Sequence, residues 1–318
     1  MSESIAVIGA GAWGTALAIL FARAGKEVAL WARDAAKVAE MERSRENPRL
    51  KGVALPETLR LTSTMPGADI LLLAVPMQHL RSILPALPQN TAPLVLCCKG
   101  LETGTLLLPP ELVGGRPAAM LTGPNFAHEV AAGLPAAAVL AMPEAETRTR
   151  LIAALRTDTL RLYGSADIMG AALGGAAKNV IAIAAGVVIG AGLGENARAA
   201  LITRGLAEIA RLAAALGGKA ETVSGLSGLG DLLLTCTGLS SRNFSLGLAL
   251  GEGRSLAEIL ASRSSVTEGV ATAPALLARA RAVGVEMPIT EAVTRLLAGE
   301  MNVGQTMAAL MSRALKDE

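Results

Sequence analysis

Through the first half of the chain, short apolar runs of strand length alternate with stretches of helical periodicity. Residues 5–8, 27–31, 70–75, 94–98, 118–121 and 136–141 are dominated by buried-type side chains, and they predict strands covered on both faces. Between them, 13–24, 35–43 and 77–84 carry apolar residues at helical spacing. Strand and helix in alternation predict βαβ units and a parallel sheet. After Tyr163 the texture changes: 168–188, 197–216, 267–283 and 290–297 are long, rich in Ala and Leu, and predict helices. Gly217-Gly218 and the glycines of 225–230 break that half. The expected fold is therefore α/β, with an N-terminal Rossmann-type, doubly wound parallel sheet over 1–163 and an all-helical C-terminal domain over 164–318.

The first apolar run leads directly into Gly9-Ala10-Gly11-Ala12-Trp13-Gly14, a G-x-G-x-x-G between strand and helix. The first glycine serves the tight turn, the second lets backbone approach a pyrophosphate, and the third lets helix and strand pack closely. Backbone N–H groups at the helix start then face the phosphates. The end of the second run reports on the ribose, where an acidic side chain suits the 2′-hydroxyl of NAD and an arginine the 2′-phosphate of NADP. This chain supplies both, as Arg33-Asp34. Arg33 stands nearer the strand end, which favours NADP(H), with NAD(H) left open.

Composition narrows the classes. Of 318 residues 52% are hydrophobic and 18% charged, enough for a sizeable core and unlike a disordered chain. With 29 basic and 27 acidic residues the net charge is +2, which argues against a nucleic-acid partner. Aromatic residues, at 2%, are too few for stacking platforms. Three cysteines (Cys97, Cys98, Cys236) and two histidines (His79, His128) show no ligand spacing, so no metal is expected. The N-terminus lacks a signal-peptide pattern, and the apolar stretch 180–194 is broken by glycines and shorter than a membrane span. The expectation is a cytoplasmic protein without membrane insertion.

Chemistry concentrates at a few polar positions. Lys178 and Asn179 interrupt a run of small apolar residues, where a cation is costly to bury without partners. Lys178 either snorkels from a helix edge or serves as an acid that stabilises a developing alkoxide and delivers a proton. Lys99 follows the fourth apolar run, at the carboxyl end where ligands bind in such sheets. Asp231 closes Gly228-Leu229-Gly230 and either caps a helix starting at Leu232 or belongs to a site. Ser241-Arg242-Asn243 offers a hydroxyl, a guanidinium and an amide, suited to a phosphate or to an ordinary helix start.

Taken together, these blocks resemble bacterial NAD(P)-dependent glycerol-3-phosphate dehydrogenase over nearly the whole chain. The matching stretches are the glycine loop through Ala18, Lys99-Gly100-Leu101-Glu102, Thr122-Gly123-Pro124-Asn125-Phe126-Ala127-His128-Glu129, the Lys178-Asn179 segment, Gly228 to Thr237, Ser241-Arg242-Asn243, and Gly284-Val285-Glu286-Met287-Pro288-Ile289. The resemblance implies reversible reduction of dihydroxyacetone phosphate to sn-glycerol 3-phosphate, feeding glycerophospholipid synthesis, by a homodimer. It places Gly9, Gly11, Ala12, Trp13, Gly14, Arg33, Lys99, Ala127, Arg242, Val266 and Glu268 at the cofactor. Lys178 becomes the catalytic acid/base, with Lys99, Gly123, Asn125, Asn179, Asp231 and Thr235 at the substrate and Ser241, Arg242 and Asn243 at its phosphate. The chain departs from the family pattern in His128 for lysine, Asn125 for serine or threonine, and Cys97-Cys98 for a small polar pair. Two other readings of the residues stand beside this one. One is a lysine-dependent reductase of ketopantoate or 3-hydroxyacids, which would need a carboxylate grip; the other is a nucleotide sensor without turnover.

Overall fold

A computed structural model describes residues 3–263 and 267–312. Two compact units emerge. One takes the described residues up to Lys99 together with Leu107–Ala172, and the other takes Gly100–Leu106 and the described residues from Leu173 onward.

The first unit holds β1 (Ile5–Ile8), α1 (Ala12–Arg23), β2 (Val28–Trp31), α2 (Ala35–Ser44), β3 (Arg60–Thr62) and β4 (Ile70–Leu73). It continues with α3 (Leu80–Ile83), β5 (Leu94–Leu96), α4 (Pro109–Leu112), β6 (Ala118–Thr122), α5 (Ala127–Ala131), β7 (Ala136–Ala141), α6 (Ala145–Leu155) and β8 (Leu160–Ser165). The eight strands form one sheet in the order β3-β2-β1-β4-β5-β6-β7-β8. Leaving β1 on opposite sides, the chain makes a switch point between β1 and β4, in register Ile5↔Ile70 to Ile8↔Leu73. Strands β1, β2, β4 and β5 are buried along their whole length, as their unbroken apolar runs predict.

Three features depart from the sequence expectation. The sheet is not wholly parallel, because β7 runs antiparallel to β6. Between them lies only the five-residue α5, which spans about 7.5 Å at 1.5 Å per residue, too little to carry the chain back along a strand of about 17 Å. Strands β3 and β8 were not expected; both lie at sheet edges and expose alternate residues, so neither forms an apolar run. The helix expected over 77–84 is broken into a 3-10 turn at Met77–His79, the one-turn α3, and a second 3-10 turn at Leu84–Ala86 containing Pro85.

The second unit takes most of α7 (Ile168–Gly190), then α8 (Gly194–Ala215), α9 (Ala220–Val223), α10 (Asp231–Thr237) and α11 (Arg242–Gly251). α12 (Leu256–Ala261), α13 (Glu268–Ala282), α14 (Pro288–Leu297) and α15 (Val303–Met311) complete it. At 23 residues α7 is longer than its apolar stretch suggests, and it is long enough to cross a membrane; nearly all of that apolar window is buried within the protein.

Glu208 of α8 is a buried cross-helix cap. Its carboxylate accepts from the N–H of Ile289 (2.6 Å) and from the N–H and hydroxyl of Thr290 (both 3.3 Å), the otherwise unpaired first turn of α14. Burial pushes its pKa up to about 7, against the opposing pull of those donors and of Arg211. Folded protein therefore keeps this proton between the ordinary carboxyl value of 4.5 and about 7, where the unfolded chain has lost it. The group's contribution to stability thus falls as pH rises through that window and is level above it. Denaturant midpoints at about pH 5 and pH 7.5 should show this slope, at most about 3 kcal/mol, in the wild type and not in Glu208→Gln. Equal slopes would refute the assignment.

Candidate active site

Each glycine of the loop after β1 has a separate steric reason. Gly9 has φ +118°, and a Cβ there would stand 2.8 Å from the Ala74 carbonyl oxygen at the end of β4. A Cβ on Gly14 would overlap the Gly9 carbonyl oxygen, so the helix could not pack so close to the loop. By contrast, a Cβ on Gly11 would meet nothing within 4 Å. That open approach, exposed at the start of α1, is what a pyrophosphate needs, and Ala12 and Trp13 stand half-buried beside it. Sequence reasoning missed Asn47. Buried, it donates from Nδ2 to the Ala10 carbonyl (3.1 Å) and to Thr15 Oγ1 (2.7 Å), fixing the loop from behind. Its only sequence mark is an Asn-Pro turn.

At the end of β2 the two ribose candidates separate. Asp34 accepts from the N–H groups of Ala36 (3.0 Å) and Lys37 (3.3 Å), capping α2, and its other oxygen is 3.5 Å from the Lys37 ammonium. The Lys37 N–H, first among these contacts, holds its carboxyl below the usual range. Arg33 is exposed beside it.

The carboxyl ends of β5 and β6 supply four more of the expected residues. Lys99 is half-buried just beyond β5, and the preceding Cys97 thiol is pushed up to about 12 by burial, with Lys99 opposing. Gly123 has φ +152°, and a Cβ there would come within 2.9 Å of the Ala138 Cα. Asn125 donates from Nδ2 to the Ala137 carbonyl (2.9 Å), while its buried Oδ1 and the buried Thr122 Oγ1 have no hydrogen-bond partner among the described residues. Two orphaned buried oxygens at a strand end are places for ligand donors. Ala127 opens α5, and His128, stacked on Phe126 with ring centroids 5.6 Å apart, is exposed.

In the second unit, Lys178 does not snorkel. It is 8% exposed, and its ammonium pairs with the Oδ1 of the fully buried Asp231 and donates to Thr235 Oγ1 at 3.0 Å. Thr235 in turn donates to the Asp231 carbonyl at 2.5 Å, so its lone pairs are left towards the ammonium. Asp231 is not a helix cap: α10 begins at Asp231 itself, and the residue before it, Gly230, makes no side-chain cap. Glycines explain how the pair forms. Gly174 lies four residues before Lys178 on the same face of α7, and a Cβ there would stand 2.7 Å from the Ser227 carbonyl oxygen. The π-helical turn Leu226–Gly230 packs directly on that glycine and delivers Asp231 to the lysine.

Asn179 accepts from Asn243 Nδ2 (2.9 Å), and Asn243 Oδ1 accepts from the Gly269 N–H (3.0 Å). This buried relay ties α7, α11 and the start of α13 together. Ser241 is buried and caps α11 by accepting from the Phe244 N–H (3.2 Å), whereas Arg242, the first residue of α11, is exposed. Glu268 opens α13, and Val266 lies outside the described residues. The two sets of residues thus divide cleanly, the glycine loop, Arg33, Lys99, Gly123, Asn125 and Ala127 on the first unit and the lysine cluster, relay and arginine on the second.

A dinucleotide loop at a sheet switch point, together with a buried lysine held by a carboxylate, defines the class of nucleotide-dependent oxidoreductases with a helical second domain. Residues 4–148 match the family model for the NAD-dependent glycerol-3-phosphate dehydrogenase N-terminus and 167–308 the model for its C-terminus. The chain belongs to the NAD-dependent glycerol-3-phosphate dehydrogenase family. It is 62% identical to a glycerol-3-phosphate dehydrogenase [NAD(P)+] of Acidiphilium cryptum, covering 98% of each chain. A protein of the same description from Gluconobacter oxydans is 54% identical over 97% of each. Among solved structures, the glycerol-3-phosphate dehydrogenase of Coxiella burnetii superposes with a TM-score of 0.92 at 39% identity, covering 98% of this chain and 99% of that one.

Proposed function

We propose that this enzyme reduces dihydroxyacetone phosphate reversibly to sn-glycerol 3-phosphate, with NADPH preferred over NADH. The observation that carries the reading is the buried Lys178–Asp231–Thr235 cluster, a cation that the protein has gone to some length to hold in place inside an apolar unit. Bound nicotinamide supplies the hydride. As the carbonyl carbon receives it, negative charge develops on the oxygen, and the Lys178 ammonium stabilises that charge and transfers a proton to it. Asp231 and Thr235 hold the ammonium in position, so little reorganisation is needed at the reacting moment. Arg242 and the first turn of α11 bind the remote phosphate, and the orientation gained can contribute several kcal/mol, up to ~7–11 in favourable cases. On the first unit, this reading assigns Lys99, Gly123 and Asn125 to substrate. With a phosphate grip of this kind, a substrate recognised only by its carboxylate is the poorer fit.

NADPH preference is supported by Arg33, exposed at the strand end while Asp34 is occupied as the cap of α2. A homodimer in the cytoplasm, with its product supplying glycerophospholipid synthesis, completes the reading. The test is oxidation of NADPH and of NADH by the purified protein with dihydroxyacetone phosphate, against dihydroxyacetone and ketopantoate. Turnover should require the phosphate, and Arg33→Ala should lower the NADPH-to-NADH ratio of kcat/KM about tenfold. NADPH binding without turnover on any substrate would favour a sensor instead.

A further inference from the structure

Arg263 follows α12 and reaches back to the start of α11. Its Nη1 donates to the Arg242 carbonyl (2.8 Å) and its Nη2 to Ser245 Oγ (3.0 Å), while Ser245 Oγ itself donates to the same Arg242 carbonyl (3.2 Å). One planar guanidinium therefore meets two acceptors within a single helical turn, each through its own nitrogen, an arrangement its rigid fork pre-organises. With Ser241 capping the Phe244 N–H, that first turn is fixed from both sides. Arg263 is half-buried, and its pKa is held below the usual arginine range first by burial and then by two further cations, Arg254 and Arg242. Arg242 and Arg263 repel each other at the start of α11, and a dianion arriving there relieves the repulsion.

We propose that Arg263 is a positioning residue for the substrate phosphate: it fixes the backbone from which Arg242 projects and adds a second positive charge where the dianion is received. This rests on the reading of Arg242 as the phosphate residue. Neither the glycine loop nor the lysine cluster requires Arg263, so its effect falls on phosphate recognition and not on hydride or proton transfer.

The experiment compares wild type, Arg263→Gln, Arg263→Lys and Arg242→Ala in the full chain. It reads kcat and KM for dihydroxyacetone phosphate and for dihydroxyacetone, the inhibition constant of inorganic phosphate, and Tm with and without inorganic phosphate. Arg263→Gln keeps donors and loses charge; it should raise KM for the phosphorylated substrate and weaken phosphate inhibition, each about tenfold. The ratio of kcat/KM for phosphorylated over unphosphorylated substrate should fall by the same factor, and the Tm rise produced by phosphate should shrink. Arg263→Lys keeps charge and loses the fork, and should fall between Arg263→Gln and wild type. If Arg242→Ala raises KM and Arg263→Gln does not, or if Arg263→Gln lowers turnover of both substrates alike, Arg263 is an ordinary structural contact and the proposal fails. If Arg242→Ala leaves KM and phosphate inhibition unchanged, the phosphate reading itself is wrong and the proposal falls with it.

Discussion

Lys178→Ala should abolish turnover, by about 10⁴-fold or more, and should also destabilise the protein by about 3–5 kcal/mol. The two effects have different causes. Loss of rate follows from removing the group that meets the developing alkoxide. Loss of stability follows from Asp231, which is 0% exposed and would lose the ammonium paired with it. Pairing the change with a second one separates them. Lys178→Met with Asp231→Asn removes both charges, so the double variant should recover most of the stability while remaining inactive. Asp231→Asn alone keeps the ammonium and should retain far more activity than either lysine variant. NADPH binding, read by fluorescence titration, should survive in the double variant because the glycine loop belongs to the other unit. A folded double variant turning over within tenfold of wild type would remove Lys178 from the mechanism.

How much of this was legible in the sequence depended on whether a feature is local. Strands buried on both faces write themselves as unbroken apolar runs, so β1, β2, β4, β5, β6 and β7 were readable, as was the glycine loop between β1 and α1. Edge strands expose alternate residues, and Leu160-Arg161-Leu162-Tyr163 in β8 reads as weak alternation at the point where the texture turns helical. The direction of β7 depends on the length of its connector and leaves no mark on its own residues. The same division holds at the site. Lys178 could be singled out because a cation in an apolar run demands a partner. Which partner it finds is decided by a glycine contact and a π-helical turn that bring together residues 53 positions apart in the chain. Glu208, Asn47 and Arg263 look like surface or loop polar residues in sequence; only the partners that distant segments bring to them show that Glu208 and Asn47 are buried and that Arg263 is half-buried.

Gly247→Ala should be among the most damaging single-methyl changes in the second unit. Helices α7 and α11 meet through two pairs of glycines spaced four apart, Gly186 and Gly190 on one and Gly247 and Gly251 on the other. A Cβ on any of the four would overlap a backbone carbonyl oxygen of the facing helix: Phe244 for Gly186, Leu248 for Gly190, Ile183 for Gly247 and Val187 for Gly251. Because the obstacle is backbone, no side-chain rotation can relieve it, and the helices must separate. Overpacking of this kind costs about 1–3 kcal/mol, and a rigid obstacle puts the change at the upper end. Separation would also reach the chemistry, since α7 carries Lys178 and Asn179 while α11 begins at Arg242 and holds Asn243 against Asn179. The expected result is a Tm several degrees lower together with a raised KM for the phosphorylated substrate, the second being what a merely loosened core would not produce. Gly304→Ala is the control: it adds the same methyl within α15, where the nearest atom is Asn302 Oδ1 at 3.5 Å, and should be neutral or slightly stabilising. If Gly247→Ala matched that control in both Tm and KM, the close crossing would not be what sets the spacing between the lysine and the arginine.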